Sequence, residues 1–188
     1  MDRGYRRHTA LNFVCGHYRL GKKQRNLIVR SVYSAQEIKD HRKRLTPIEK
    51  IRGEKVVIDG FNVLIGAECV LGRGPVVEAQ DGFHRDSLGL CGRYKPSLYT
   101  EPAIERILAL LKKHEPKSVL FLFDSQVSKS GELVALIRRK MGETGLEGDA
   151  RTAPNVDYEI KQLNRMTATS DTAIIEKVKR VVDLVGEL

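Results

Sequence analysis

The sequence predicts an α/β protein in which a mostly parallel β-sheet is flanked by helices and preceded by a small helical bundle. Two observations predict the sheet: apolar, β-rich runs recur along the chain, and amphipathic helical segments separate them. A third sets the bundle apart, because residues 1–52 hold 14 Lys and Arg against four Asp and Glu, a net charge of +10. The whole chain of 188 residues carries +9, so the remainder is close to neutral.

The first part, residues 1–52, is predicted to fold as short helices. Apolar residues recur at helical spacing from Leu11 to Tyr18, and a second such segment covers residues 27–32. A capping-box pattern, Ser34-Ala-Gln-Glu37, opens a third helix that ends before Pro47. The bundle has too few apolar residues to be stable alone, so we expect it to pack on the rest of the chain.

The positive charge of this first part predicts a polyanionic partner. A basic module beside a near-neutral domain is typical of nucleic-acid-binding proteins, and a solvated basic surface with no ligand is the alternative. Such a module would hold a phosphate backbone without sequence preference. The side chains expected to contact the backbone are Arg6, Arg7, Arg19, Lys22, Lys23 and Arg25.

The second part, residues 54–188, is predicted to form the α/β domain. Its β-rich runs are Lys55–Asp59, Ser118–Asp124 and residues 166–171, and each ends in aspartate. Helical segments are predicted over residues 101–113, 131–141 and 156–163. A weaker strand over residues 181–185 closes the sheet, unless residues 173–185 form one helix instead.

Residues 66–99 interrupt this pattern, since they hold six of the sixteen glycines and no sustained period. A connection of that length in a compact domain is usually a functional loop or a disordered one. Its polar cluster consists of Glu78, Asp81, His84, Arg85, Asp86 and Arg93. We expect a partly ordered flap, inserted in the domain, with a short hairpin over residues 75–81.

The aspartates at the strand ends predict a metal site. In an open parallel sheet the carboxyl ends of the strands line the ligand crevice, so Asp59, Asp124 and Asp171 converge. Grouped carboxylates repel one another, and a hard divalent cation such as Mg²⁺ or Mn²⁺ keeps them ionised at close range. Asp157, in the first turn of a predicted helix, reaches the same pocket. Each aspartate has an alternative as a turn former or helix cap, and Asp157 a further one in pairing with Lys161.

The residues around these acids resemble those of PIN-like and NYN-type nucleases. The run Val56-Val-Ile-Asp-Gly-Phe-Asn-Val-Leu64 is similar to the first strand of that family, which places an aspartate and an asparagine at the metal. Leu122-Phe-Asp124, Val156-Asp157-Tyr-Glu-Ile160 and Ala168-Thr-Ser-Asp171 resemble its later acidic positions. The resemblance implies a PIN-like, Rossmann-like fold and RNA as the substrate. It makes Asp59, Asp124, Asp157 and Asp171 the catalytic, metal-binding acids, with Asn62 and Ser170 as supporting polar groups.

The N-terminal part resembles a small domain of unknown function that occurs in archaeal proteins fused to a PIN-like domain. The similar stretches run from Gly4-Tyr-Arg-Arg to Tyr18-Arg-Leu and include Gln24-Arg25. This second resemblance implies no particular activity.

Further side chains are candidates for holding phosphate near the metal, namely Ser128, Lys129, Ser130, Arg85 and Arg93. The first three precede a predicted helix, where hydroxyls, backbone N–H groups and an ammonium can meet an anion. An ordinary serine N-cap beside a solvated lysine is the alternative, and the two arginines are either phosphate clamps or solvated. His84 is not expected to act as a base, because metal-activated water removes the need for one.

These features predict a metal-dependent ribonuclease that uses one or two Mg²⁺ or Mn²⁺ ions and grips RNA with its basic module. The rivals are a non-catalytic RNA-binding or ribonucleoprotein-associated PIN-like protein, and a phosphatase or nucleotide hydrolase; assembly into a ribonucleoprotein or a homodimer stays open. No apolar run approaches the ~18 residues that span a bilayer. A cytoplasmic protein with no membrane partner is therefore expected. Cys15, Cys69 and Cys91 show no CxxC spacing, so they are expected to be reduced thiols.

Overall fold

The structure, a computed structural model, describes residues 1–87, 89 and 93–188, and its first part is helical. The helices are α1 (Arg7–His17), α2 (Lys22–Ser31) and α3 (Ala35–Arg44). The predicted capping box begins α3, because Ser34 Oγ accepts from the Glu37 N–H and the Glu37 carboxylate accepts from the Ser34 N–H. The small N-terminal helical bundle is therefore confirmed.

Among the described residues, five strands form one parallel sheet and two form a hairpin. In chain order the strands are β1 (Lys55–Asp59), β2 (Val76–Glu78), β3 (His84–Asp86), β4 (Ser118–Asp124), β5 (Gly148–Ala153), β6 (Met166–Ala168) and β7 (Val181–Val182). The sheet has the order β5-β4-β1-β6-β7, with every neighbouring pair parallel. The direction of strand addition reverses between β1 and β6, and ligand crevices of open α/β sheets lie at such switch points.

Helices cover both faces of this sheet, which confirms the α/β class. They are α4 (Gly60–Glu68), α5 (Thr100–Lys113), α6 (Ser130–Thr144), α7 (Val156–Leu163) and α8 (Thr172–Ile175). Successive residues of β1 point to opposite faces: Val56 and Ile58 pack in the cluster that contains α4, α5 and α6. Val57 packs in the other cluster with Ile160 of α7 and Ile174 of α8. Burial on both sides explains the continuously apolar strands.

The glycine-rich segment is more regular than the predicted flap. α4 extends to Glu68 and continues as a π-helical turn over Cys69–Arg73, so the prediction that irregular chain begins at residue 66 is wrong. α4 is buried on nearly all sides, so its sequence has no amphipathic period. The hairpin is confirmed, although β2 and β3 carry it beyond residue 81. Cys91 and Gly92 lie outside the described residues, and so do the predictions that fell on them.

Most other elements follow the prediction, with three differences. β1, β4 and α7 have the predicted bounds. The predicted strand over residues 166–171 ends at Ala168, and residues 173–185 form most of α8 and all of β7 rather than one helix. β5 was not predicted, because an edge strand can leave side chains such as Asp149 in solvent and needs no apolar run.

The N-terminal bundle packs against the hairpin and α8 through buried polar contacts. Nδ1 of His41 hydrogen-bonds with Asp81 at 2.7 Å, and the Tyr33 hydroxyl with that of Thr172 at 2.9 Å. Burial acts to raise the pKa of Asp81, but the hydrogen bonds and charge of Arg85, with the hydrogen bond of His41, hold that pKa below its usual value. Because His41, Tyr33 and Asp81 are buried, the bundle shares its interior with the α/β part.

Candidate functional site

The predicted acids line one cavity of about 100 Å³ at the carboxyl edge of the sheet, beside the switch point between β1 and β6. Its lining residues are Arg30, Asp59, Phe61, Asn62, Ile65, Asp86, Asp124, Val156, Asp157 and Asp171. We call it the acid cavity. Asp59 ends β1 and Asp124 ends β4, whereas Asp157 lies in the first turn of α7 and Asp171 is the N-cap of α8. Four separate elements thus bring the four aspartates together.

Asp59 has the most clearly altered acidity in this cavity. Burial raises its pKa to about 7, and the charges of Asp171 and Asp157 act in the same direction. Hydrogen bonds from the Thr169 hydroxyl, at 2.8 Å, and from the Asn62 backbone N–H oppose the rise. A cation close to Asp59 would favour the ionised carboxylate. A perturbed carboxyl in a cleft beside other acids is typical of functional sites.

Asn62 joins the two strand ends that flank the switch point. Its Oδ1 accepts from the backbone N–H of Ser170 at 2.7 Å and from the Ser170 hydroxyl at 3.1 Å. Thr169, the neighbour of Ser170, donates to Asp59. The chain after β1 is thereby tied to the chain after β6, which fixes the side chains between them. The two predicted supporting groups, Asn62 and Ser170, are bonded to each other.

The other three carboxylates are held by local partners. Asp124 and Asp171 each accept a hydrogen bond from the backbone N–H two residues further along, at 2.8 and 2.7 Å. Asp157 forms its ion pair with Lys177 at 3.8 Å, and not with the predicted alternative Lys161. Each of these carboxylates is therefore bonded to a backbone N–H or to a lysine, and not to a group that it shares with another of the aspartates.

The lining acids fit a hard divalent cation in chemical kind, because carboxylate and amide oxygens are the ligands that such ions prefer. Within the described ranges, no three His, Cys, Asp or Glu side chains lie close enough to hold a metal ion as they stand. Asp124 and Asp171 are each bonded to the backbone that follows them. Holding a cation would require them to rotate toward the centre of the cavity.

Two charged residues of the acid cavity were not predicted as site residues. Asp86 ends β3 and is only 5% exposed, and Arg30 of α2 contacts it at 2.7 Å. Neither residue ends a strand of the main sheet, so the rule that found the other acids could not find them. The polar cluster within residues 66–99 was the available signal for Asp86. Because Arg30 comes from the N-terminal bundle, both parts of the chain build this cavity.

Two arginines predicted to contact RNA are engaged within the protein. Arg85 is buried, donates to both Asp81 carboxylate oxygens at 2.7 and 2.8 Å, and donates to the Ser170 carbonyl at 2.7 Å. It is therefore neither a solvated side chain nor a mobile clamp. Arg7 is half-buried and donates to the carbonyls of Val29 and Val32 at the end of α2.

Three of the four remaining phosphate candidates lie at a separate groove of about 700 Å³. Arg93, Ser128 and Lys129 line it together with Lys95, which was not predicted. Lys129 is the N-cap of α6 in the left-handed conformation, φ 68°, and makes no side-chain cap bond. The alternative of an ordinary serine N-cap is therefore wrong. Ser130 is buried and does not line this groove.

The surface of the N-terminal bundle is basic and carries exposed aromatic rings. The predicted RNA contacts Arg6, Arg19, Lys22, Lys23 and Arg25 are all exposed. Tyr5, Phe13 and Tyr18 are between 66% and 72% exposed, and the Phe13 ring stacks on His17 with centroids 5.8 Å apart. Within the described part of the chain, no helix is both long and apolar enough to cross a membrane.

Comparison with known sequences gives the chain its family. Residues 48–187 match the family described as Domain of unknown function (DUF5616). The chain belongs to the DUF5616 family. In this DUF5616 protein, residues 1–44 also match the family described as Protein of unknown function (DUF434). A relative from Methanocaldococcus jannaschii, described as Uncharacterized protein MJ0935, is 42% identical over 189 residues, which cover 100% of this chain and 90% of the relative. No solved structure matches the chain.

Proposed function

We propose that this protein is a metal-dependent ribonuclease of the PIN-like type that hydrolyses phosphodiester bonds of RNA. The observation that supports the proposal is the convergence of Asp59, Asp124, Asp157 and Asp171 on one cavity at the switch point of a parallel sheet. The resemblance to PIN-like and NYN-type nucleases assigns the metal to these four residues. The fold is compatible with that assignment, because the acids come from the carboxyl edge of the sheet.

The four aspartates would hold one or two Mg²⁺ or Mn²⁺ ions, and bound metal would supply an activated water and stabilise negative charge on the phosphate. Asp59 would have to be ionised to serve as a ligand, and positive charge nearby would lower the pKa that burial has raised. The Thr169 hydroxyl orients the Asp59 carboxylate. Asn62 accepts from Ser170 through its oxygen, so its amide NH₂ is the part that can contact substrate.

The N-terminal bundle would supply affinity for RNA. Its exposed Lys and Arg side chains release counterions when they meet phosphates, so binding should weaken steeply as salt rises. The exposed rings of Phe13 and Tyr18 belong to the same bundle and offer surfaces on which unpaired bases can stack. A basic surface with aromatic platforms is suited to a flexible single strand.

Carboxylate-to-amide variants test the enzyme. Asp59→Asn and Asp171→Asn keep side-chain shape, and asparagine is as good an N-cap of α8 as aspartate. With Mn²⁺ and labelled RNA, each should lower the cleavage rate more than about a hundredfold without weakening RNA binding. The control is Asp149→Asn, which changes an exposed aspartate on β5 that pairs with Arg138. Cleavage by the two variants at the rate of this control would contradict the proposal.

A non-catalytic RNA-binding protein is a second candidate, and the separation of the carboxylates favours it. Manganese distinguishes the two, because a ligand that binds only the native state raises the melting temperature. The ribonuclease proposal expects Mn²⁺ to stabilise the wild-type protein and not Asp59→Asn. RNA binding with no stabilisation by Mn²⁺ would identify the non-catalytic protein.

A further inference from the structure

A second cavity, of about 170 Å³, adjoins the acid cavity between the N-terminal bundle and α8. Arg30, Asn62 and Asp171 line both cavities, so the two are neighbours. Three arginines line this second cavity, together with three residues that carry a hydroxyl group. We call it the arginine pocket, and these residues are Arg7, Arg30, Arg85, Tyr33, Ser170 and Thr172.

The arginines of this pocket are held in place before any ligand arrives. Arg85 is fixed by Asp81, and Arg7 by carbonyls at the end of α2. Both guanidinium groups also lie over the ring of Tyr33, at 4.4 Å for Arg7 and 5.0 Å for Arg85. Cationic groups that are already ordered lose little entropy when an anion binds.

The pocket retains unused capacity to bind an anion. Arg85 and Arg30 have close carboxylate partners, but the ion pair of Arg7 with Glu37 is 3.9 Å long. Nε of Arg7 and Nε of Arg30 are buried without a hydrogen-bond partner among the described residues. A buried donor without a partner is costly, so an acceptor that draws these guanidiniums into new contacts would be favoured. Among the described residues, Asp171 carries the one carboxylate that lines the pocket.

We propose that the arginine pocket binds a phosphate group of the RNA, next to the phosphodiester in the acid cavity; this rests on the proposed function. Planar guanidinium groups match phosphate oxygens, and the Thr172 hydroxyl, 2.9 Å from that of Tyr33, can turn to donate to one of them. The volume is below the roughly 300 Å³ of ordinary ligand pockets, which suits one phosphate group. That group is either the 5′-terminal phosphate or an internal phosphate of the strand.

The arginine pocket gives the N-terminal bundle a place in the site itself. Arg7, Arg30 and Tyr33 come from the bundle, and Arg85 and Thr172 from the α/β part. Binding at the arginine pocket would set which phosphodiester reaches the acids. The bundle would then determine the cleavage position as well as the affinity.

Binding of matched RNAs tests the pocket on the full-length protein. A 3′-labelled RNA is prepared with a 5′-phosphate or a 5′-hydroxyl, and Asp59→Asn is used throughout so that it stays intact. Adding Arg7→Gln should weaken binding about tenfold, whereas adding Arg139→Gln, which changes an exposed arginine of α6 outside the bundle, should change it less than about twofold. Loss with only the 5′-phosphorylated RNA identifies the terminal phosphate, and equal loss with both identifies an internal one. No difference between the two arginine variants with either RNA would overturn the proposal.

A second variant guards against misfolding, because Arg7 also bonds the end of α2. Thr172→Val removes a hydroxyl and keeps every charge, and it should weaken binding about threefold. Inorganic phosphate should raise the melting temperature of the wild-type protein and not of the Arg7 and Thr172 variants. Phosphate binding that depends on these residues without any RNA cleavage would refute the ribonuclease and keep the pocket. Cleavage that depends on Asp59, with binding indifferent to both variants, would refute the pocket alone.

Discussion

Asp59 carries a carboxyl whose pKa is raised to about 7, and this links the stability of the fold to pH. Between pH ~4 and ~7 the native carboxyl keeps a proton that the unfolded chain has released, so the free energy of unfolding falls as the pH rises through this range. Asparagine cannot ionise. With a chelator present, Asp59→Asn should be more stable than wild type by about 2–4 kcal/mol near pH ~8 and equal to it near pH ~4. Urea unfolding across this range measures the difference.

The control for this prediction is Asp149→Asn. A hydrogen bond from Arg138 lowers the pKa of Asp149, and the side chain is exposed, so its replacement should give no gain in stability at any pH. If Asp59→Asn instead follows the pH curve of the wild-type protein, the Asp59 carboxyl ionises in the fold without cost.

Single residues also show how far the sequence predicts the site. Asp59 and Asp124 were predicted because strands end at them, and a parallel sheet collects such ends at one edge. Asp86 and Arg30 obey no such rule. They reach the acid cavity because the hairpin and the N-terminal bundle pack over it, and no local pattern encodes packing between parts distant in sequence. The same packing buries Arg85, predicted as a phosphate contact, and fixes it against Asp81 at the wall of the arginine pocket.

At the level of elements, β1 passes into α4 without a loop, and Gly60 makes this possible. A Cβ at Gly60 would lie 2.6 Å from the Phe123 ring and 2.7 Å from the Leu122 carbonyl oxygen. Gly60→Ala should destabilise the protein by about 1–3 kcal/mol. It should also slow cleavage, because the start of α4 carries Asn62 and follows Asp59 directly. Urea unfolding and the RNA cleavage assay check the two effects.

Gly131→Ala is the matched control, since a Cβ at Gly131 meets nothing within 4 Å and the residue lies in α6. Alanine there should stabilise the protein by about 0.4–1 kcal/mol, because it restricts the unfolded chain. Equal stability changes in the two glycine variants would show that the approach of Gly60 to β4 does not matter.

The elements that the sequence did not predict share a physical cause. Sequence patterns identify elements that have one buried side or are wholly apolar, such as α5 and β4. α4 contains glycine and a buried glutamate, Glu68, which accepts hydrogen bonds from Tyr94 and Thr100. β5 is a polar edge strand whose position comes from pairing with β4. Both elements are specified by their neighbours in the fold, so their own residues carry little signal.

At the scale of the whole molecule, the distribution of charge and the packing of the two parts both support RNA binding by the bundle beside the acid cavity. The N-terminal bundle holds all of the excess positive charge. It also packs beside the acid cavity, where Arg30 pairs with Asp86. An RNA strand held on the outer surface of the bundle would therefore have a short path to the acids. This arrangement predicts that the strand is unpaired, because the bundle presents bare aromatic rings.

Phe13 allows a direct measurement of such stacking, because the chain contains no tryptophan and Phe13 is 72% exposed. In Phe13→Trp, single-stranded RNA should quench the new fluorescence, because its unpaired bases can stack on the indole ring. Each stacked base contributes about 1–3 kcal/mol to the binding free energy. A duplex should quench it little, because its bases already stack on one another. The control is Glu143→Trp, which places a tryptophan at an exposed position near the end of α6 and should report neither RNA. Equal quenching of Phe13→Trp by both RNAs would mean that the bundle binds phosphates without contacting bases.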